Sequence, residues 1–525
     1  MINKIKQISE HVKLLKINKV KKSMRLILNS LIDNTNTNKT EEFILTQIVY
    51  DYNYIFKIFV FCTSLKKIKN HKIIAYDTLI PWGKLNEKFN FLLNMFFKNG
   101  FHFLYENLID HLIIDIYKNK HQEDKWVLDT YFSVISHLNS PKDILEIKFD
   151  NILVGDLIYD TYLRYYKKPT INKIDTGLKN VIYKAINVYY NFKKIFSDKK
   201  ITMFVTTYTT YIQHGIPTRI ALDKGIPVYS ICSNTYIFQE IKKDFPYHTK
   251  NYTEFVSELP FNLNHDVKAI FESRFSGNID KGISYMRKSS YSNIDNSNLL
   301  SKVLNLKKRN VFIYIHDFYD SPHINRCLLF NDLYDYIYNI LDNIENDSES
   351  TFFVKSHPNS VYNTDSIIYE LVNKFKHKNI HLLDNRISNN DIIKIKPDLI
   401  VTARGTVTIE MAYFNIPVVA LFDNPYVNFD FVHTCYSKKE YFDIINGYVL
   451  PQIRINKDEI LSFYFQYFLK DTVNDNLNLF SIDFDTRIFN TELDILNSLK
   501  NNFDFGFLYK NTQKFIYNYL NNNLL

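Results

Sequence analysis

The chain has 525 residues, 46% of them hydrophobic and 16% aromatic, with 11 glycines, 13 prolines and a formal net charge of +8. That length allows two or three domains with cores of their own, and the composition excludes bulk disorder, a collagenous repeat and a Gly-rich linker architecture. The charge is lopsided: residues 1–30 carry seven lysines and Arg25 against Glu10 alone, a net +7, which leaves +1 for the other 495. A body this close to neutral argues against a nucleic-acid partner, which would need a basic surface spread over the fold.

In the basic arm (1–30), Ile2, Ile5, Ile8, Val12 and Leu15 recur at helical spacing with lysines between them. The pattern suits an amphipathic helix whose cationic face lies on an anionic membrane through residues 1–25, each basic group adding about 1 kcal/mol near the lipid. It equally suits a solvated helix packed on the body. Lysines interrupt any signal-peptide core, and no stretch approaches the roughly 18 apolar residues of a membrane span. Cys62, Cys232, Cys327 and Cys435 form no CxxC pair, so neither a disulfide framework nor a structural zinc site is expected. The expected location is the cytoplasm, at the periphery of the inner membrane face.

Residues 54–78 (YIFKIFVFCTSLKKIKNHKIIAYDT) predict a strand, a helix or turn, and a second strand. A helix-biased stretch then runs to about 198, interrupted at Asp156-Leu-Ile-Tyr-Asp160. Ile201–Val205 and Pro227–Ile231 predict buried strands around a helix in QHGIPTRIALDKG that Gly225 ends. From residue 310 the alternation is cleaner. Strands are expected at 311–316, 351–356, 380–383, 398–402 and 417–421, with helices at 324–344, 364–377, 388–395 and 407–414. Short apolar strands alternating with helices predict an α/β fold with a parallel, doubly wound sheet. Helices at 456–470 and 486–523 are expected to brace the two halves.

Ligands of such sheets bind at the carboxyl ends of strands. The first of these loops, His316-Asp-Phe-Tyr-Asp-Ser-Pro-His323, is more polar than a helix cap requires, and supplies Asp317, Ser321 and His323 as candidates. The second supplies Lys355, His357 and Pro358, a cation and a hydrogen-bonding ring suited to phosphate. A third holds Arg404, Gly405, Thr406 and Glu410: a forked cation, a residue allowing close backbone approach, a helix start, and a carboxylate one turn on that could accept from ribose hydroxyls. GxGxxG, GxxxxGK[ST] and HExxH are absent, which disfavours dinucleotide dehydrogenases, P-loop NTPases and zincin-type metal sites.

KSHPN, followed about 45 residues later by VTARGTVTIEMAYFNIPVVAL, resembles the nucleotide-sugar-binding half of GT-B glycosyltransferases of bacterial surface carbohydrate synthesis (capsule, lipopolysaccharide). VGDLIYDTYLR (154–164) and YIQHGIPTRIALDKGIPVYSI (211–231) resemble segments of the other half. The resemblance, which spans most of residues 145–430, implies two Rossmann-like domains facing a cleft, an N-terminal acceptor domain (31–300) and a C-terminal donor domain (301–450); the basic arm (1–30) and the bracing helices (451–525) lie outside it. It implies a nucleotide-activated sugar donor, CMP-, UDP- or GDP-linked, and a glycan or lipid-linked glycan acceptor. No cofactor and no metal are implied. Lys355 and His357 would contact the donor phosphates, Arg404, Gly405 and Thr406 would line the same pocket, and Glu410 would face the ribose or base.

The reaction needs a base for the acceptor hydroxyl, and Asp156, Asp160 and His214 are the candidates, with Gly215 and Arg219 on the acceptor side. The sequence does not choose among the three. Other readings of the same loops are a CDP-glycerol type phosphotransferase, a nonhydrolysing nucleotide-sugar epimerase and a non-catalytic GT-B scaffold subunit.

Overall fold

The computed structural model describes residues 41–48, 52–78, 108–117, 124–231, 239–256, 264–279, 288–345 and 349–469, short gaps within these ranges aside, and residues 513, 514 and 517. The basic arm and nearly all of 486–523 lie outside the described residues.

Two six-stranded sheets form the frame. The first holds β1 (Glu42–Ile48), β2 (Lys72–Asp77) and β3 (His111–Ile113), then, after a small antiparallel hairpin of β4 (Lys148–Phe149) and β5 (Ile152–Leu153), β6 (Lys200–Thr206), β7 (Val228–Ser230) and β8 (Gln239–Ile241). Its order is β3-β2-β1-β6-β7-β8, parallel except for β8, which runs antiparallel to β7. The second holds β9 (Arg309–Tyr314), β10 (Ser350–Lys355), β11 (Ile380–Leu382), β12 (Leu399–Val401), β13 (Val418–Leu421) and β14 (His433–Cys435), all parallel, in the order β11-β10-β9-β12-β13-β14. Numbered within its own sheet, each reads 3-2-1-4-5-6, the doubly wound dinucleotide-fold order. The expected α/β, GT-B-like class of two Rossmann-like domains is the observed one.

The run from Tyr54 is not a strand. It forms the 18-residue helix α1 (Tyr52–Lys69) over the first sheet. Ile58, Phe59, Cys62 and Leu65 are buried at spacings of one, three and three, a helical stripe. The opening strand lies upstream instead, in EFILTQI. Nor does Asp156-Leu-Ile-Tyr-Asp160 interrupt a helix: it begins α2 (Gly155–Tyr166), and the interruption is the hairpin before it. A Cβ at Gly155 would overlap the Ile144 carbonyl, and one at Gly215 would overlap Leu157 and the Thr209 carbonyl. These two glycines let α2 approach the preceding backbone and α3 (Ile212–Asp223) closely. As expected, α3 ends ahead of Gly225, at φ +69°.

In the second sheet the five expected strands are present, and β14 is an addition. The expected helix over 324–344 is shorter: a 3₁₀ turn at Pro322–Asn325 precedes α5 (Leu333–Asn343), which Asp332 caps by accepting from the Asp335 N–H. Helix α4 (Asn264–Ser273) and Leu300 share a core with the second sheet, so the packing divide falls ahead of 264 and a boundary at 300 would cut through that core. The helix expected at 456–470 appears as α7 (Lys457–Tyr464) with a wider turn over Phe465–Leu469. It packs on α4 and α6 (Val407–Tyr413), and Gln466 bonds Val256 of the segment leaving the first domain. Among the described residues no helix is long and apolar enough to cross a membrane.

Candidate active site

Loops from the two sheets meet, and α2 supplies three of the hydrogen bonds between them. Its Tyr159 hydroxyl donates to Asp332 (2.6 Å), and its Asp160 accepts from the His323 ring (2.6 Å) and backbone (3.3 Å). The other His323 nitrogen faces the Asn331 carbonyl at 2.8 Å. With an acceptor at each nitrogen, the ring needs both protons. Burial opposes the charge, but Asp160, its hydrogen bond and Asp156 prevail and hold His323 above the usual histidine range. Ser321, at φ +46° after β9, bonds Tyr211 before α3. Tyr211 itself lies at φ +61°, ψ 159°, a region costly to any side chain but glycine.

On the second domain, the Asn359 N–H donates to His357 Nδ1 (3.2 Å). That fixes the neutral tautomer with its proton on Nε2, which has no partner among the described residues and is not sealed from solvent. Burial keeps the ring neutral by lowering its pKa, against Asp317, Asp320 and Asp365. His316 shares Thr402 Oγ1 (3.2 Å) and the Arg404 N–H (3.4 Å) through Nε2, and burial, Arg404 and His357 bring it down to about 3. The Arg404 guanidinium reaches the Pro322 carbonyl (3.1 Å) with one nitrogen. Its loop is held by the Tyr426 hydroxyl on the Gly405 carbonyl and the Tyr441 hydroxyl on the Thr402 carbonyl. His357, Arg404, Gly405 and Thr406 therefore share one rim, with Pro358 exposed beside His357.

Other expected donor residues turn out to be engaged elsewhere. Lys355 donates to the Ile387 carbonyl (2.6 Å), and burial takes it down to about 8. Asp317 accepts from the Tyr319 N–H and the Thr364 hydroxyl, a turn-forming role. Glu410 is held by Arg274 (3.0 Å) and Tyr291 (2.8 Å), with Arg274 fully buried among Phe271, Tyr464 and Phe468. Both its oxygens are occupied inside the domain, which leaves no free carboxylate for a ribose. Helix α6 has only seven residues, and the Gly405 N–H goes to Thr402 Oγ1.

On the first domain the three candidate bases separate. Asp156 forms a buried fork with Arg219 at 2.6 and 2.5 Å, with Tyr247 as a third donor; burial would raise its pKa, but Arg219 holds it below the carboxylate range. A carboxylate so paired is a poor base, and Arg219 is a structural cation behind the rim instead of an acceptor contact. Asp160 is tied to His323 across the junction. His214 donates from Nδ1 to Gln47 Oε1 (2.5 Å), while Gln47 Nε2 donates to Thr206. The Nε2 lone pair of His214 is thereby left unprotonated and has no partner among the described residues. Burial, then His248, lowers the ring to about 3.

Sequence reasoning missed several participants. Gln47, which sets the His214 tautomer, sits on the unrecognised β1. His248 mirrors His214: its Nδ1 accepts from the Thr209 N–H (3.1 Å), leaving its proton on Nε2, and both rings pack on Tyr208 at 5.9 and 5.0 Å. Asp320 lay within a loop already singled out, and its carboxylate is exposed and faces Arg164, Arg404 and His357. Away from this rim, His433, Cys435 and Glu440 offer ligand atoms within 4.8 Å of one another, but the Gln452 N–H donates to His433 Nδ1, which puts the ring proton on the nitrogen facing Glu440.

No family model matches the chain. Among curated proteins, ATP synthase subunit delta of Rickettsia prowazekii (strain Madrid E) is 24% identical over 176 residues, covering 30% of this chain and 93% of that protein. Among solved structures, the chain is similar to the beta Kdo 2,4 transferase KpsC of Thermosulfurimonas dismutans (TM-score 0.32, 9% identity, 52% of this chain and 85% of that one). It is also similar to UDP-GlcNAc 2-epimerase of Neisseria meningitidis (0.22, 10%, 82% and 99%) and to the wall teichoic acid polymerase TagF (0.23, 10%, 95% and 98%). Likenesses at these TM-scores assign no residue a role.

Proposed function

We propose that the chain is a glycosyltransferase that moves a sugar from a nucleotide-activated donor to a glycan acceptor in surface polysaccharide synthesis. What supports this reading is that the loops of the two sheets, joined through Ser321 and Tyr211, carry unlike groups with atoms unpartnered among the described residues. One presents the His357 Nε2–H and the Arg404 guanidinium, groups suited to the oxygens of a departing phosphate. The other presents an imidazole lone pair, His214 Nε2, held in place by Gln47. In the reaction the acceptor hydroxyl gives its proton to His214 as its oxygen forms a bond to the anomeric carbon. The bond from that carbon to the phosphate oxygen breaks, and the negative charge collects where His357 and Arg404 donate. Neutral His214 can take up a proton at pH 7 only because the reacting hydroxyl becomes acidic as its bond forms. The donor is a CMP-, UDP- or GDP-linked sugar, and the acceptor a glycan or lipid-linked glycan at the inner membrane face.

The test is a thermal-shift screen against CMP-, CDP-, UDP- and GDP-linked donors, followed by turnover of the best donor in His357→Ala. Loss of turnover by at least a hundredfold, with a nearly unchanged melting temperature, is expected. A folded His357→Ala protein with full activity would overturn the assignment.

A further inference from the structure

Arg164 lies in the last turn of α2, half-buried at the junction, and no part of the proposed reaction uses it. Its guanidinium stands 5.8 Å from the Tyr362 ring of the opposite domain, and Lys167 Nζ, one turn on, stands 4.8 Å from the same ring. Tyr362 is 52% exposed and held at φ +55°, at the end of the loop that carries His357. Two cations of one domain thus bracket an exposed tyrosine of the other at the edge of the cleft.

The electrostatics around Arg164 are unusual for an arginine at a domain junction. It makes no hydrogen bond to any described residue, and no carboxylate among them lies within ion-pair distance. Tyr211, Tyr362, Asp320 and Tyr165 face it. Asp320, the one acid in that set, is shared, since it also faces Arg404 and His357. Arg219 and Arg274, by contrast, are each paired with a buried carboxylate. A guanidinium offers five donors in a planar fork that matches a carboxylate or phosphate bidentately. Half-burying it with no acceptor for the fork among the described residues is unfavourable unless a ligand supplies one.

We infer that Arg164, with Lys167 beside it, forms an anion subsite distinct from the rim of His357 and Arg404, and that it recognises a carboxylate or phosphate ester on one of the two substrates. The anion belongs either to the sugar being transferred or to the acceptor. Tyr362 forms the aromatic wall of the subsite, and Asp320 faces both cationic centres. This inference rests on the glycosyl-transfer reading for which molecule enters the cleft, but not for the recognition chemistry at Arg164.

Calorimetric titration of the full chain with matched probes tests it. The donor arm compares UDP-glucuronic acid with UDP-glucose, and CMP-N-acetylneuraminic acid with its carboxyl methyl ester, with CMP alone as the nucleotide control. The acceptor arm compares glycerol 3-phosphate with glycerol. Wild type is expected to prefer the acidic member of at least one pair by tenfold or more. Arg164→Gln should erase that preference while leaving the affinity for CMP or UDP-glucose within twofold, and Arg164→Lys should keep part of it. Loss in the donor arm puts the anion on the transferred sugar, and loss in the acceptor arm puts it on the acceptor. The inference fails if wild type prefers none of the three acidic members, if Arg164→Gln leaves the preference intact, or if that variant weakens the comparison probes equally. Should no nucleotide probe bind wild type, the transferase reading falls, while the glycerol 3-phosphate arm still reports on Arg164.

Discussion

The two sheets share one strand order, yet their carboxyl ends are chemically opposite. The first ends in His214 and His248, neutral rings locked in complementary tautomers and packed against Tyr208. The second ends in the Arg404 guanidinium and the His357 N–H donor, with a half-buried Lys355 alongside. One topology therefore ends in an imidazole lone pair on one sheet and in N–H donors on the other, which the proposed reaction would use as proton acceptor and anion-binding wall. The difference lies in which atoms the backbone N–H groups and buried amides leave unpaired, and function resides in those loops.

The comparison can be broken first at its foundations. Asp156→Ala leaves the Arg219 charge buried without its partner, and is expected to destabilise the first domain by about 3–5 kcal/mol. Chemical denaturation followed by hydrogen exchange should show β1 and β6 losing protection while β9 and β12 keep theirs; uniform loss would mean the two halves unfold as one unit. Removing the proposed proton acceptor sharpens the contrast between the two sheet ends. His214→Ala should lower kcat by about 10²–10⁴ with donor affinity unchanged. Gln47→Leu, which frees the tautomer, should lower it by less, and an active His214→Ala enzyme would point to Asp160 or another base.

The smallest effect is expected at the tie between the walls. His323 has its folded pKa raised above the unfolded value of about 6.5, so its contribution is complete below that pH and is lost as pH rises through the folded value. Asp160→Asn should accordingly cost about 1.5–3 kcal/mol at pH 5.5 and measurably less at pH 9. Equal cost at both pH values would show that the charge on His323 does not matter.

The second half of the molecule was more legible from sequence than the first. Its strands are short apolar runs buried on both faces, bounded by polar loops, and each loop announced its place at the sheet edge. In the first half, an aromatic run that reads as a strand is the covering helix α1, because buried helices and buried strands share composition and differ here mainly in length. Overlooking β1 also hid Gln47, the partner that orients His214. Asp156 and Glu410 were visible as acids in the right loops, but their neutralisation by Arg219 and Arg274 depends on contacts 63 and 136 residues apart, which no local pattern encodes. Polar residues at a strand end locate a site, and long-range pairing decides which of them remain free to act.

Helix α2 has a consequence for how this sequence can drift. Within 12 residues it sends Asp156 to Arg219, Tyr159 to Asp332, Asp160 to His323 and Arg164 to the Tyr362 ring. Inserting or deleting one residue would turn everything beyond it by about 100°. Point substitutions there can be lost or repaired one at a time, but a single-codon indel would misdirect several contacts at once. Length variation among related chains should therefore be absent between residues 155 and 164 and free in the hairpin just before them.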